Sequence, residues 1–448
     1  MFSTPEPKRP STIQHVESTP GQLALTIEQS TRRRIARRLL PFLWLLYIIA
    51  FLDRVNVAYA ALEMSHDLGF SDRVFGTGAG IFFIGYVLLE IPGAVIVERW
   101  SARRWIARIM ISWGIITVLV GLVHTSRQFY AARFFLGMAE AGFFPGIIVY
   151  LTHWFRHEDR AKAVAVFMTA IPLSNILGSP LAGQILKIHW HGLQGWRWLF
   201  ILEGIPAVIF GVVTLFFLTD WPRQAEWLPK EECDWITGEL EREKQRKLAL
   251  RSYTIWQALT NRDVLLLTLV YFMGSTGIYG FIIWFPTILK RASGLSTSTV
   301  TLLVTLPYLA GLAAMVLNGW HSDRAHERRW HTAGSLFLGG ISLTLALAAA
   351  PHIWIQLVFF ILFAAFVHAY QPTFWALPTA LLGESAAAAS IGLINCIGGL
   401  GGFVGPFVMG YLVTRTGSFA SGLAWLLVNL FLGGILVLQV GRGQVNRK

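Results

Sequence analysis

Asp53, Arg54, Arg133 and Glu140 are ionisable side chains within apolar stretches of this sequence. Asp53 and Arg54 follow directly on the run LLPFLWLLYIIAFL. A charge at bilayer depth costs roughly 2.5–3.5 kcal/mol even on insertion scales, so such residues mark substrate paths, ion paths or proton relays. Helix neighbours point about 100° apart, so the aspartate and the arginine face different directions. Arg133 and Glu140, seven residues apart, share one face two turns from each other. These spacings suggest that Arg54 faces a central cavity while Asp53 turns toward the stretch bearing Arg133 and Glu140. Two acids and an arginine would then form a buried cluster beside a second, cavity-facing arginine. The competing reading is an ion-pair network that only fixes helix packing. Buried pairs add little net stability compared with apolar packing, so the functional reading is the stronger.

Membrane spans must position these groups. Of 448 residues, 54% are hydrophobic and 14% charged, against roughly 25% charged in a soluble domain. Twelve stretches near the bilayer-crossing length of about 20 residues are expected at 39–62, 76–97, 105–124, 128–151, 163–186, 197–219, 264–289, 298–320, 332–350, 353–377, 387–413 and 419–440. The fold expected is an all-α membrane protein of two six-helix halves, 39–219 and 263–440. A tail at 1–38, a linker at 220–262 and a tail at 441–448 complete it. The linker is dense in Glu, Lys, Arg and Leu from Lys230 to Arg251 and reads as an amphipathic helix at the membrane surface. The first 30 residues are polar, so the first span is expected to serve as its own insertion signal.

The net charge of +12 has a topological origin. With both termini and the linker inside the cell, 28 Lys and Arg fall on the inner side and 7 on the outer, leaving Arg54 and Arg133 within spans. That bias predicts a multi-pass inner-membrane protein with cytoplasmic termini, and it argues against nucleic acid as the partner of the positive charge. Cys233 and Cys396 lie far apart, the histidines show no metal spacing, and neither a nucleophile elbow nor a phosphate loop is present. No cofactor and no enzymatic activity are expected.

The halves echo each other. Glu98-Arg99 follows the second span in VERWSARRW, and Asp323-Arg324 follows the eighth in GWHSDRAHERRW, 225 residues later. Pro145 and Pro372, in the fourth and tenth spans, are 227 apart. A six-span repeat is the layout of a rocking transporter with its site between the halves. Glu98, Arg99, Asp323 and Arg324 are expected to gate the cytoplasmic side.

GWHSDRAHERR resembles the Gly-x-x-x-Asp-Arg loop of the major facilitator superfamily, with a degenerate first-half copy in which Glu98 takes the acidic place. More narrowly, LDRVN, GYVLLEIPG, RFFLGMAEAGFFPGI, GWRWLFILEGIPA and FWALPTALLGESAAAASIGLINCIGGLGGFVGP resemble the anion:cation symporter family, closest to its bacterial tartrate, phthalate and hydroxyphenylacetate permeases. The resemblance implies that Asp53 and Glu140 carry a coupling proton, that Arg133 tunes them, and that Arg54 binds a substrate carboxylate. It implies further pocket contacts from Tyr86, Trp375 and Asn395. Phe51 and Ile171 stand where the galactonate-type pattern has tyrosine and glutamine, which shifts the expected substrate toward a less hydroxylated or aromatic acid. Glu90, Glu203 and His368 read as packing residues. The function expected is proton-coupled uptake of a small organic anion by a monomer in the bilayer. An exchanger or facilitator of the same fold and a transporter-like sensor are the rivals.

Overall fold

The computed structural model describes residues 20–248, 257, 260–381 and 384–441, and among these the chain is helices and turns. The helices are α1 Pro20–Asp67, α2 Asp72–Arg99, α3 Ala102–Val120, α4 Ser126–Glu140, α5 Phe143–Thr152, α6 His157–Met168, α7 Ala170–Ile185, α8 Gly195–Phe217 and α9 Lys230–Leu248. There follow α10 Arg262–Ser293, α11 Thr297–Ala325, α12 Arg329–Ala348, α13 Ile353–Trp375, α14 Leu377–Leu381, α15 Glu384–Gly398, α16 Gly401–Thr416 and α17 Phe419–Val437. Among the described residues, eleven helical spans are long and apolar enough to cross a membrane. The remaining span is α3, whose first seven residues carry Arg103, Arg104 and Arg108. The side chains of Glu98 and Arg99, residues 1–19, the linker residues 249–256 and the tail 442–448 lie outside the described residues.

Helix α1 begins well before the apolar run, at Pro20. Its polar first turns are held by ion pairs: Arg32 contacts Glu28 and Asp159, and Arg34 contacts Glu232 of α9 at 2.9 Å. Helix α9 lies against this half through Arg156–Glu239 (3.8 Å) and Arg160–Glu243 (3.0 Å). The end of the molecule carrying these contacts is called the linker end below, and the opposite one the far end.

Four spans are broken at matching places in the two halves: α4/α5, α6/α7, α13/α14 and α15/α16. The first break is the sharpest. Ala141 is extended (ψ 136°), and Gly142 takes the left-handed conformation (φ 83°) that a side chain disfavours. Interrupted helices in corresponding positions of a repeat characterise transporter sites, because irregular backbone is tolerated at membrane depth where it lines a cavity.

Helices α3 and α8 are tied together at both ends. At the far end, Arg197 donates to the carbonyls of Gly121 and Val123, closing the C-terminus of α3. At the linker end, Asp220 accepts from Ser101 Oγ (2.7 Å) and the Arg103 N–H (2.9 Å), closing its N-terminus.

The two halves meet along α2 with α16, α7 with α11, and α1 with α10. At the far end they interlock. Arg291 of α10 pairs with Asp72 of α2 (2.5 Å), the Arg73 N–H donates to Thr414 (2.9 Å), and Ser298 donates to the Gly183 carbonyl (3.3 Å). Ser179 donates to the Thr301 carbonyl across the same seam. Among the described residues, Asp72–Arg291 is the ion pair joining the halves. This structure is therefore closed at the far end.

Candidate functional site between the halves

Arg54 projects from the middle of α1 and pairs with Glu140, the last residue of α4. The break at Ala141–Gly142 ends α4 there and leaves Glu140 level with Arg54. The guanidinium lies over the rings of Phe51 (5.1 Å), Tyr86 (5.2 Å) and Phe82 (5.8 Å), so aromatic faces surround the charge. Glu140 is buried and Arg54 keeps 16% side-chain exposure. The arginine is thus the member of the pair that reaches open space.

The structure corrects the expected grouping of the other two charges. Asp53 turns toward α3, not α4. Its carboxylate accepts from Trp113 Nε1, Thr117 Oγ1 (3.3 Å) and Asn56 Nδ2 (3.1 Å), and it is 2% exposed. Arg133 pairs with neither acid. It donates to the carbonyls of Gly78 and Ala79 on α2 at 3.4 Å, and its guanidinium lies 4.9 Å from the Phe82 ring. The reason is axial distance. Seven residues keep Arg133 and Glu140 on one face but separate them by about 10 Å along the helix, and only Glu140 comes level with α1's charges. Glu203 of α8 is buried too, and its Oε2 meets no hydrogen-bond donor.

A cavity of about 70 Å³ between the halves is lined by Arg54, Phe82, Phe83, Tyr86, Val87, Glu90, Tyr271, Tyr279, Asn395 and Gly399. Tyr86 and Asn395, expected as pocket contacts, are among these lining residues. Trp375 is not among the lining residues; its ring packs edge-on against Tyr271 at 4.9 Å. Phe51 sits beneath Arg54, edge-on to Tyr47 at 5.2 Å. Ile171 lines a second, mostly apolar cavity with Tyr308, Met315 and His368. Sequence reasoning missed Tyr271 and Tyr279, which no local pattern marks, and the donors Trp113, Thr117 and Asn56 around Asp53. Glu90, read as a packing acid that accepts hydrogen bonds, accepts one from Asn395 Nδ2 of the opposite half and also lines the cavity.

At the linker end, Asp323 pairs with Arg328 of its own half, and the Arg324 guanidinium lies 5.7 Å from the Trp320 ring. Neither reaches the opposite half here.

Two six-span halves, helices broken in register and a charged cavity on the seam define a transporter architecture. The sequence profile of the Major Facilitator Superfamily matches residues 43–406, and the chain belongs to that superfamily. A protein of Agrobacterium vitis named "Putative tartrate transporter" is 46% identical over 417 residues, which is 93% of this chain and 96% of that protein. The "Quinolone resistance transporter" of Acinetobacter baumannii is 36% identical, over 93% of this chain and 96% of its own length. "Inner membrane transport protein RhmT" of Escherichia coli is 35% identical, over 92% and 94%. Among solved structures, a bacterial homolog of the human lysosomal transporter Spinster, in an inward-facing and occupied conformation, superposes with a TM-score of 0.75. It is 17% identical and covers 90% of this chain and 96% of that one. The chain is a multi-pass membrane transporter, related to transporters of organic anions.

Proposed function

We propose that this protein takes up a small organic carboxylate together with protons, by alternating exposure of the cavity between its halves. The observation that carries the reading is the Arg54–Glu140 pair, whose arginine lines the cavity. A guanidinium makes two parallel charge-assisted hydrogen bonds to a carboxylate, and one amino group of Arg54 is held by Glu140. A proton on Glu140 removes its claim on Arg54 and frees the arginine for a substrate carboxylate. Proton and anion therefore favour each other's binding, which is the requirement for symport. Asp53, one residue away on α1, is the second proton carrier. Arg133 acts on both acids through space. Rocking of the halves about this site moves it from one face to the other.

In this reading the linker end is cytoplasmic, both termini lie there, and the protein resides in the inner membrane as a monomer. The charge bias of the sequence supports that orientation. The structure then corresponds to a state closed to the outside. Asp323-Arg324 and Glu98-Arg99 come together across the linker end when the protein faces outward.

Uptake into proteoliposomes under an imposed proton gradient tests the proposal. Arg54→Lys is expected to abolish carboxylate binding, because an ammonium keeps the charge but loses the planar fork. Glu140→Gln is expected to keep binding and counterflow while losing accumulation, since the amide mimics the protonated acid. Glu140→Gln protein that still concentrates substrate against a gradient would sink the coupling role. Wild-type counterflow without any response to the gradient would mark an exchanger.

A further inference from the structure

Glu90 is the cavity acid that the roles proposed above leave unused. It projects from α2 one turn beyond Tyr86 and is 7% exposed. Oε1 accepts a hydrogen bond from Asn395 Nδ2 of the opposite half, and Oε2 is buried with no donor. Among the described residues, no Lys or Arg forms an ion pair with it, and the cation lining the same cavity, Arg54, is taken by Glu140. A carboxyl oxygen buried without a hydrogen-bond partner is costly, and a site holding such a group discriminates strongly for a ligand that supplies the missing partner.

The cavity is therefore two-ended. Arg54 offers donors to a carboxylate, and Glu90 offers an acceptor. The Tyr86 ring lies 5.2 Å from the Arg54 guanidinium, and the turn from Tyr86 to Glu90 adds about 6 Å along the helix. That separation suits a short aliphatic chain. A second carboxylate at Glu90 would meet like charge, and an unsubstituted or aromatic end would leave Oε2 unpaired. A hydroxyl donates to it. We propose that Glu90 is a specificity-determining residue that accepts a hydrogen bond from a substrate hydroxyl, so that the site takes short aliphatic hydroxy-carboxylates in preference to their deoxy counterparts. The inference rests on the organic-anion reading above and narrows it. It also reverses the expectation drawn from Phe51 and Ile171. Phe51 lies beneath the arginine and Ile171 lines the other cavity, so neither removes polarity from the Glu90 end.

Butyrate, 4-hydroxybutyrate and 3,4-dihydroxybutyrate share a four-carbon monocarboxylate frame and carry zero, one and two hydroxyls. Isothermal titration of the purified full-length transporter with each gives a hydroxyl ladder of Kd values. Wild-type protein is expected to prefer 3,4-dihydroxybutyrate to butyrate by about tenfold or more. Glu90→Ala should bring that ratio toward one. Glu90→Gln, which keeps the shape and still accepts from Asn395 but presents an NH2 in place of Oε2, should also lose most of it. The second variant decides the matter if the first does not fold. A ladder unchanged in Glu90→Gln overturns the inference. So does wild-type binding of phthalate with none of the three, which leaves the anion reading standing. Folded wild-type protein that binds no carboxylate at all removes the anion reading itself.

Discussion

Asp53 is surrounded by donors: an indole N–H, a threonine hydroxyl and an asparagine amide. A neutral amide fits the same place, because the Asn56 Oδ1 has no partner and an amide flip presents it to the new N–H. Asp53→Asn is therefore expected to fold with a melting temperature near wild type, and to keep substrate exchange while losing proton-driven accumulation. Asp53→Leu leaves three buried donors unmet, at about 1–3 kcal/mol each, and should express poorly. Thermal melts beside gradient-driven uptake separate these outcomes. Accumulation that persists in Asp53→Asn would reassign the acid to structure.

Among the helices, α2 and α4 cross through reciprocal glycines. A Cβ on Gly137 would lie 1.9 Å from the Phe82 carbonyl, and one on Gly85 would lie 2.1 Å from the Phe134 carbonyl. Small residues of this kind let membrane helices approach until their backbones touch. Gly137→Ala must push the pair apart, at about 1–3 kcal/mol for overpacking, and it shifts Glu140 less than one turn further on. Both the melting temperature and transport should fall; a variant with both unchanged would show that the crossing has slack. A second element-level device sits at the linker end. Glu327 accepts from the N–H groups of Trp330 (2.8 Å) and His331 (3.2 Å) and from the His331 ring (2.9 Å), closing the first turn of α12. Partial burial works to raise its carboxyl pKa, but these donors outweigh it and hold the value below the ordinary one. A depressed folded value means the stabilisation is complete above the unfolded value of about 4.3 and fades as pH falls through the folded one. Glu327→Ala should lower stability by about 1 kcal/mol at neutral pH. The gap between variant and wild-type melts should close in acid, and a gap independent of pH would contradict the assignment.

For the whole molecule, far-end closure rests on few polar contacts. The Asp72–Arg291 pair is partly exposed, with side-chain exposures of 19% and 48%, and such pairs contribute about 0–1 kcal/mol. Asp72→Asn is accordingly expected to raise the far-open population by no more than about fivefold, a shift that energy allows. Thr301, fully buried in the seam between α7 and α11, reports on it. With Cys233 and Cys396 replaced, a cysteine at position 301 should react faster with a membrane-impermeant thiol reagent in the Asp72→Asn background. An unchanged rate would place the latch in the packed glycines, where Gly76 faces the Pro406 carbonyl and Gly410 faces that of Asp72.

The spans, the two halves and the presence of Asp53, Arg54, Arg133 and Glu140 at membrane depth were legible in the sequence. Apolar length, charge bias and repeat spacing are properties of the chain read locally, and they need no partner to be seen. The angle between Asp53 and Arg54 was legible for the same reason, because helix geometry sets it. Which neighbour stood in each direction was not. Asp53 met α3 and Arg54 met α4 because the places of α3 and α4 around α1, which itself packs against α7, α8 and α10, are decided by packing across the bundle. Arg133 missed both acids because helix face is a local quantity and axial level is a tertiary one. Glu90 and Asn395, 305 residues apart, met only because the halves close on each other at the far end, a relation between two folded units that no window of sequence contains.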